Sequence, residues 1–186
     1  MSTAPRQPGD ALIVVDVQND FLPGGALPVP GGDKIVPVLN EWIEAARQGA
    51  VLVAASRDWH PPDHVSFDDR GGPWPRHCVQ HSEGAGFPPD LRLPENAVII
   101  SKGTDSDRDA YSAFDQTPLA ELLKQRGVRR IWVGGLALDV CVRSTVLDAI
   151  ESGFQTYVIR NATKPIDEQG GRNALDEMRR AGAAID

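Results

Sequence analysis

Cysteine is scarce in this chain: Cys78 and Cys141 are the two it carries, so one bridge at most can form, and a disulfide-stapled secreted scaffold is excluded. Basic runs longer than a pair are missing, and Asp+Glu of 26 against Lys+Arg of 19 leaves a net charge of -7. That lacks the electrostatic footprint of a nucleic-acid binder. Long hydrophobic runs are missing too. ALIVV (11–15) and AVLVAA (50–55) are the longest, far short of the ~20 residues of a spanning helix. The opening MSTAPRQPGD has no apolar segment of the secretory kind, so a cytoplasmic protein that avoids membranes is expected. There is no G-x-S-x-G elbow, P-loop or G-x-G-x-x-G. Nor is there a repeat or linker. With 186 residues the expectation is one domain, 1–186, with 1–9 as a disordered or extended tail.

What is present alternates between two patterns. ALIVVDV (11–17), AVLVAAS (50–56), AVIIS (97–101), RRIWVGG (129–135) and QTYVIR (155–160) are short, β-branched and without polar alternation, as strands covered on both faces require. Ile35, Val38, Leu39, Trp42, Ile43 and Ala46 follow one helical face. Thr117-Pro118 reads as an N-cap and first position for a helix through Leu119, Leu122 and Leu123. Cys141, Thr145, Val146, Ala149 and Ile150 read as a helix stopped by Gly153, and Ala174, Leu175 and Met178 as a last one. The fold class is α/β, a three-layer sandwich with a mostly parallel sheet and helices on both faces.

Residues 57–96 break the rhythm, a long connection with seven prolines and all four histidines of the chain. Its aromatics, Trp59, Phe67, Trp74 and Phe87, give it something to pack with, so it reads as ordered and functional. In Asp58-Trp59-His60 the carboxylate and imidazole point to the same side of an extended segment, and His77 can supply a third ligand for a divalent metal. Loop histidines are more often plain hydrogen-bonded residues, but the clustering favours a site. Asp16 ends the first strand, Lys102 follows the third, and Cys141 follows RRIWVGG by a Gly-rich turn. Three strand ends thus deliver an acid, a cation and a thiol to the ligand-binding edge of a parallel sheet. A thiol opening a helix beside an ammonium is expected to favour its thiolate, with Asp16 exchanging the proton. A buried Asp–Lys pair and a packed core thiol are the plainer uses of these residues.

DVQNDFLPGGALPVPGGD (16–33), RDWHPPDHVSF (57–67), WPRHCV (74–79), KGTDSDRDAYSAF (102–114) and GGLALDVCVRST (134–145) together resemble the isochorismatase-like cysteine hydrolases, and within them the nicotinamidase branch. The motifs fall in the family's order over about residues 11–160. The resemblance implies hydrolysis of nicotinamide to nicotinic acid and ammonia through a Cys thioester, in NAD salvage. It implies a triad of Asp16, Lys102 and Cys141, and an ion held by Asp58, His60 and His77, with Zn²⁺ first in expectation and Mn²⁺ or Fe²⁺ as alternatives. It further implies a cis peptide between Leu136 and Ala137, and an oxyanion hole from the Ala137 and Cys141 N–H groups. Phe21, Leu27, Trp74, Tyr111 and Ala137 would wall the ring of nicotinamide or pyrazinamide. Leu138 stands where relatives often have Thr, and His81-Ser82 where a Gly-Thr pair is usual, which bears on substrate preference. His64 matches a fourth ligand of some relatives, but its short spacer predicts a non-ligand, and Cys78 is expected to be buried beside the site. Relatives often self-associate, so a homo-oligomer is among the implied states. The rivals are a related small-carboxamide amidase of the same fold and a non-catalytic metal-binding member. An isochorismate-cleaving enzyme fits less well, since that chemistry calls for no thiol.

Overall fold

The computed structural model describes Pro5 and residues 7–186. Six strands form one sheet in the order β3-β2-β1-β4-β5-β6, with every pairing parallel. They are β1 (Asp10–Val15), β2 (Leu52–Asp58), β3 (Val98–Lys102), β4 (Arg130–Leu136), β5 (Gln155–Lys164) and β6 (Ala184–Ile185). Four α-helices accompany them: α1 (Ile35–Gln48), α2 (Leu119–Gln125), α3 (Arg143–Glu151) and α4 (Glu168–Ala181). None of the described helices is long and apolar enough to cross a membrane.

The unbroken apolar runs are explained by two cores. From β1, Ala11, Ile13 and Val15 join one cluster with Leu119 and Leu123 of α2, Val146 and Ala149 of α3, and Ala174 and Met178 of α4. The alternate residues Leu12 and Val14 join the other, with Ile35, Leu39 and Ile43 of α1. Successive side chains of a strand point to opposite faces, so a strand buried twice has no polar alternation to show. The second face has one helix where the first has three. The remainder is roofed by the long loop, which contributes Cys78, Ala85 and Leu91.

The strand order places a switch point between β1 and β4, where the chain reverses its direction of travel across the sheet. Ligands of open α/β sheets bind beyond the carboxyl ends of strands at such a point. The two strands approach closely there. Gly135 has φ +133°, and a Cβ on it would lie 2.0 Å from the Val15 carbonyl oxygen, so only glycine fits.

Several boundaries differ from the sequence reading. β5 continues through the polar NATK to Lys164, past a register shift between Val133 and Gly135 of β4. α2 starts at Leu119 with Pro118 in the capping position. The two-residue β6 is too short to leave a periodic signal. Residues 1–4 and 6 of the expected tail lie outside the described residues. Gln7–Gly9 are tied down: the Gln7 N–H donates to Asp10 Oδ2 at 3.1 Å, and the Gly9 carbonyl accepts the N–H groups of Arg129 and Arg130.

Candidate active site

The segment after β1 fastens the long loop to the sheet. Gln18 donates Nε2–H to the carbonyls of Asp58 (2.8 Å) and Ala85 (2.9 Å), while its Oε1 accepts the Asp58 N–H at 2.8 Å. Asp20 accepts the N–H groups of Cys78 (2.7 Å) and Ala26 (3.1 Å). The His60 N–H donates to the Cys78 carbonyl and the Gln80 N–H to the His60 carbonyl, so residues 60 and 77–80 run side by side. This pairing carries His77 to the end of β2, seventeen positions after His60 in sequence.

Asp58, His60 and His77 are all buried and offer ligand atoms that lie within 4.8 Å of one another. His60 Nδ1 is 2.9 Å from the Gly103 carbonyl and His77 Nδ1 is 2.7 Å from the Pro75 carbonyl. A carbonyl only accepts, so each Nδ1 carries the proton and each Nε2 presents a lone pair. Those nitrogens face Asp58 Oδ2 at 3.7 and 3.9 Å. Three electron pairs converging on one point suit a divalent cation, and the two carbonyls fix both rings as outer-shell partners do. His64 is placed otherwise. Its ring stacks on His60 with centroids 4.0 Å apart, and both nitrogens are engaged, Nδ1 with Ser66 Oγ at 2.7 Å and Nε2 with the Arg108 carbonyl at 3.2 Å.

Asp58 and Lys102 are register partners on β2 and β3. Lys102 Nζ lies 2.6 Å from Asp58 Oδ1, 2.8 Å from Asp16 Oδ2 and 3.6 Å from Cys141 Sγ. A carboxylate oxygen from each of Asp16 and Asp58 lies within 4.8 Å of that sulfur. The ammonium already serves this second acidic group as its cation. Ser56 Oγ–H donates to Asp16 Oδ1 at 2.7 Å, whereas Oδ2 has the ion-pair contact but no aligned hydrogen-bond donor.

Burial is the largest influence on all these groups. It raises the Asp16 carboxyl, an effect that Lys102 only partly offsets. It would also raise Asp58, but Lys102, joined by His60 when that ring is protonated in the metal-free chain, outweighs it and holds that carboxyl below the ordinary range. Burial would depress Lys102, yet the two carboxylates keep it well above its usual value. For Cys141, burial and the neighbouring carboxylates outweigh Lys102 and raise the thiol well above normal. Proton transfer from this thiol therefore falls to Asp16, as the sequence reading has it, and the helix start and the ammonium favour the thiolate less than burial opposes it. The local backbone differs from that reading: Cys141 sits on a π-helical turn, Leu138–Val142, and α3 begins only at Arg143. The Ala137 carbonyl accepts the N–H groups of both Val140 and Val142 at 3.1 Å to close this turn, and the Leu136–Ala137 peptide is cis.

A cleft of about 580 Å³, mouth included, opens above Cys141 and the metal-type ligands. Phe21, Leu27, Trp74, Tyr111 and Ala137 all line it, and Trp74 Nε1–H donates to the Tyr111 hydroxyl at 3.2 Å. Its lining is mainly apolar, as small-ligand sites are. Asp16 and Lys102 lie beneath the lining, fully buried. Cys78 is buried on the roof side, its thiol pushed up by burial. Sequence reasoning did not find Gln18, Asp20 and Ser56 as supports, nor Val140, Asp109 and Ile166 at the cleft. Gln18 and Asp20 stand inside the DVQNDF motif, which was their available signal.

The chain is similar to proteins of known sequence and structure over nearly its whole length. A family model described as an isochorismatase domain matches residues 10–186. The nicotinamidase of Acinetobacter baylyi is 40% identical over 92% of this chain and 89% of its own. The pyrazinamidase of Pyrococcus horikoshii, solved in complex with zinc, superposes with a TM-score of 0.94 at 52% identity, covering 96% of this chain and 99% of that one. PnC1 from L. infantum, solved in complex with nicotinate, gives 0.89 at 38% identity over 96% and 92%. With the parallel sheet, the thiol beside a buried Asp–Lys pair and a family match over nearly the whole length, this chain belongs to the isochorismatase family.

Proposed function

We infer that this protein hydrolyses nicotinamide to nicotinic acid and ammonia, and that it accepts pyrazinamide, which differs by one ring nitrogen. The observation that carries the reading is the meeting of a thiol, a buried carboxylate and an ammonium, with Nζ 3.6 Å from Sγ and 2.8 Å from Asp16, at the floor of an apolar cleft suited to a flat ring. The relatives named nicotinamidase and pyrazinamidase support the same substrates.

In this mechanism the thiol of Cys141 rests protonated. Asp16, raised by burial that Lys102 and Ser56 only partly offset, is a stronger base than an exposed carboxylate. It takes the thiol proton as the sulfur attacks the carboxamide carbon. The N–H groups of Ala137 and Cys141 hold the oxyanion of the tetrahedral intermediate. Protonated Asp16 passes its proton to the departing ammonia, leaving a thioester. It then takes a proton from the water that attacks the thioester, and nicotinic acid leaves as Cys141 regains its proton. Throughout, Lys102 balances the negative charge that moves between sulfur and carboxylate in a site with no room for bulk water.

Asp58, His60 and His77 hold one divalent metal ion, zinc being the reading favoured by the zinc-bound relative and manganese or iron the alternatives. When bound, the ion supplies a Lewis-acidic position for the ring nitrogen. Phe21, Leu27, Trp74 and Tyr111 wall the ring. A nucleophilic thiol and a second reduced cysteine suit the cytoplasm, where nicotinic acid re-enters NAD synthesis. The test is ammonia and nicotinate release from nicotinamide by the purified protein, with and without chelator. Release by the metal-loaded protein supports the reading, and none from either ring carboxamide overturns it.

A further inference from the structure

One residue at the edge of the cleft has no part in the chemistry above. Ile99 and Ile166 are the large apolar side chains left well exposed among the described residues, at 41% and 39%, and Ile166 is the one that borders the cleft. It stands in the connection between β5 and α4, and that connection is docked, not loose. Asp139, two positions before Cys141 on the same π-helical turn, accepts the Ile166 N–H at 2.9 Å on Oδ1 and the Asp167 N–H at 3.4 Å on Oδ2. Asp167 in turn caps α4 by accepting the N–H groups of Gln169 and Gly170. Two glycines make room for this arrangement. A Cβ on Gly170 would lie 2.7 Å from Asp139 Oδ2, and one on Gly171 would lie 2.8 Å from Pro165.

We propose that Ile166 is a specificity-determining wall of the ring site and that Asp139 is the residue that positions it. The proposal rests on the amidase reading above. An apolar side chain held rigidly at a cleft and left open to water gains burial when a flat apolar ring fills that cleft. Because Asp139 belongs to the turn that carries Cys141, the nucleophile and this outer wall are one mechanical unit. The gap between them is fixed, admitting a bare ring and resisting one that carries a further substituent on the edge facing Ile166.

The experiment measures kcat and KM for nicotinamide, and for nicotinamides methylated at each ring carbon in turn, in Ile166→Ala, Ile166→Val, Asp139→Ala, Asp139→Asn and the double Ala variant. Covering the open part of one Ile side chain is worth about a tenfold change in binding. Ile166→Ala is expected to raise KM for nicotinamide by about that factor with kcat nearly unchanged, to improve at least one methylated substrate relative to nicotinamide, and Ile166→Val to do little. Asp139→Ala is expected to shift KM the same way, Asp139→Asn less because one acceptor oxygen remains, and the double variant no further than Ile166→Ala alone. A purely structural Asp139 would instead lower thermal stability and kcat and add its full effect to that of Ile166→Ala, which overturns the positioning role. An active wild type whose KM and methyl-substrate preference are untouched in the well-folded Ile166→Ala overturns the wall. A wild type inactive on both ring carboxamides sinks the amidase reading itself, a result distinct from either.

Discussion

Replacing Lys102 by Met keeps the length of the side chain and removes the charge that two buried carboxylates share. Its Nζ lies 2.8 Å from Asp16 and 2.6 Å from Asp58, with side-chain exposures of 0% for Lys102 and Asp16 and 7% for Asp58. At an effective dielectric of about 20, each such contact attracts by roughly 6 kcal/mol before desolvation is subtracted. After subtraction, removing one member of a buried pair costs about 3–5 kcal/mol, because the remaining charges stay buried without a counter-ion. Lys102→Met is therefore expected to lose about 3–5 kcal/mol in urea unfolding of the metal-free protein near pH 8. The pH dependence carries the sharper signature. In the wild type, Asp58 is held below its unfolded value, so its contribution is present above that value and is lost as pH falls. Lys102 is raised, so its contribution is present below the unfolded lysine value and is lost only in strong alkali. Asp16 is raised and opposes folding when ionised, a penalty that lifts as pH falls. Without the ammonium both carboxyls rise, and acid relieves the variant more than the wild type. The deficit of Lys102→Met should narrow between about pH 8 and about pH 5. A deficit below about 1 kcal/mol, or one constant across that range, would refute the shared-cation reasoning.

Other perturbations address separate parts of the site. Ser56→Ala removes the hydroxyl that lowers the Asp16 carboxyl, so the acid limb of the kcat/KM profile should move to higher pH, because the proposed mechanism needs Asp16 ionised. Metal analysis of His60→Asn and His77→Asn should find the ion lost, whereas His64→Asn should keep one per chain, since both His64 nitrogens are already engaged. Gly103→Ala would place a Cβ 2.5 Å from His60 Cε1 at a φ of +60°, so metal affinity measured by competition with a chelator should fall by about tenfold or more.

The fold was legible where burial is continuous. β1 is buried at all six positions, and its apolar run announces a strand covered on both faces. The candidate triad was legible for the same reason, because Asp16 and Lys102 are polar residues at the ends of such runs and Cys141 follows one by a short turn. The sequence reading ends β5 early because NATK breaks the apolar run with polar residues, although Ala162 is buried in the core beside α1 and Thr163 is buried as well. Gln18 was passed over because its partners lie 40 and 67 residues away, and no local period points to them. The sequence shows a helix start and an ammonium near Cys141, but it cannot express the full burial beside Asp16 and Asp58 that raises the thiol. Ile166 and Asp139 meet only through the tertiary fold, and neither belongs to an apolar periodic face.

The decisive assay is turnover of nicotinamide by Cys141→Ala, run beside metal analysis of the same preparation. Loss of ammonia release with the metal content of the wild type is expected, because the proposed mechanism makes the sulfur the nucleophile and assigns the ion to Asp58, His60 and His77. Release at the wild-type rate by a folded, metal-loaded Cys141→Ala protein would mean that the thiol at the floor of the cleft is not what breaks the amide.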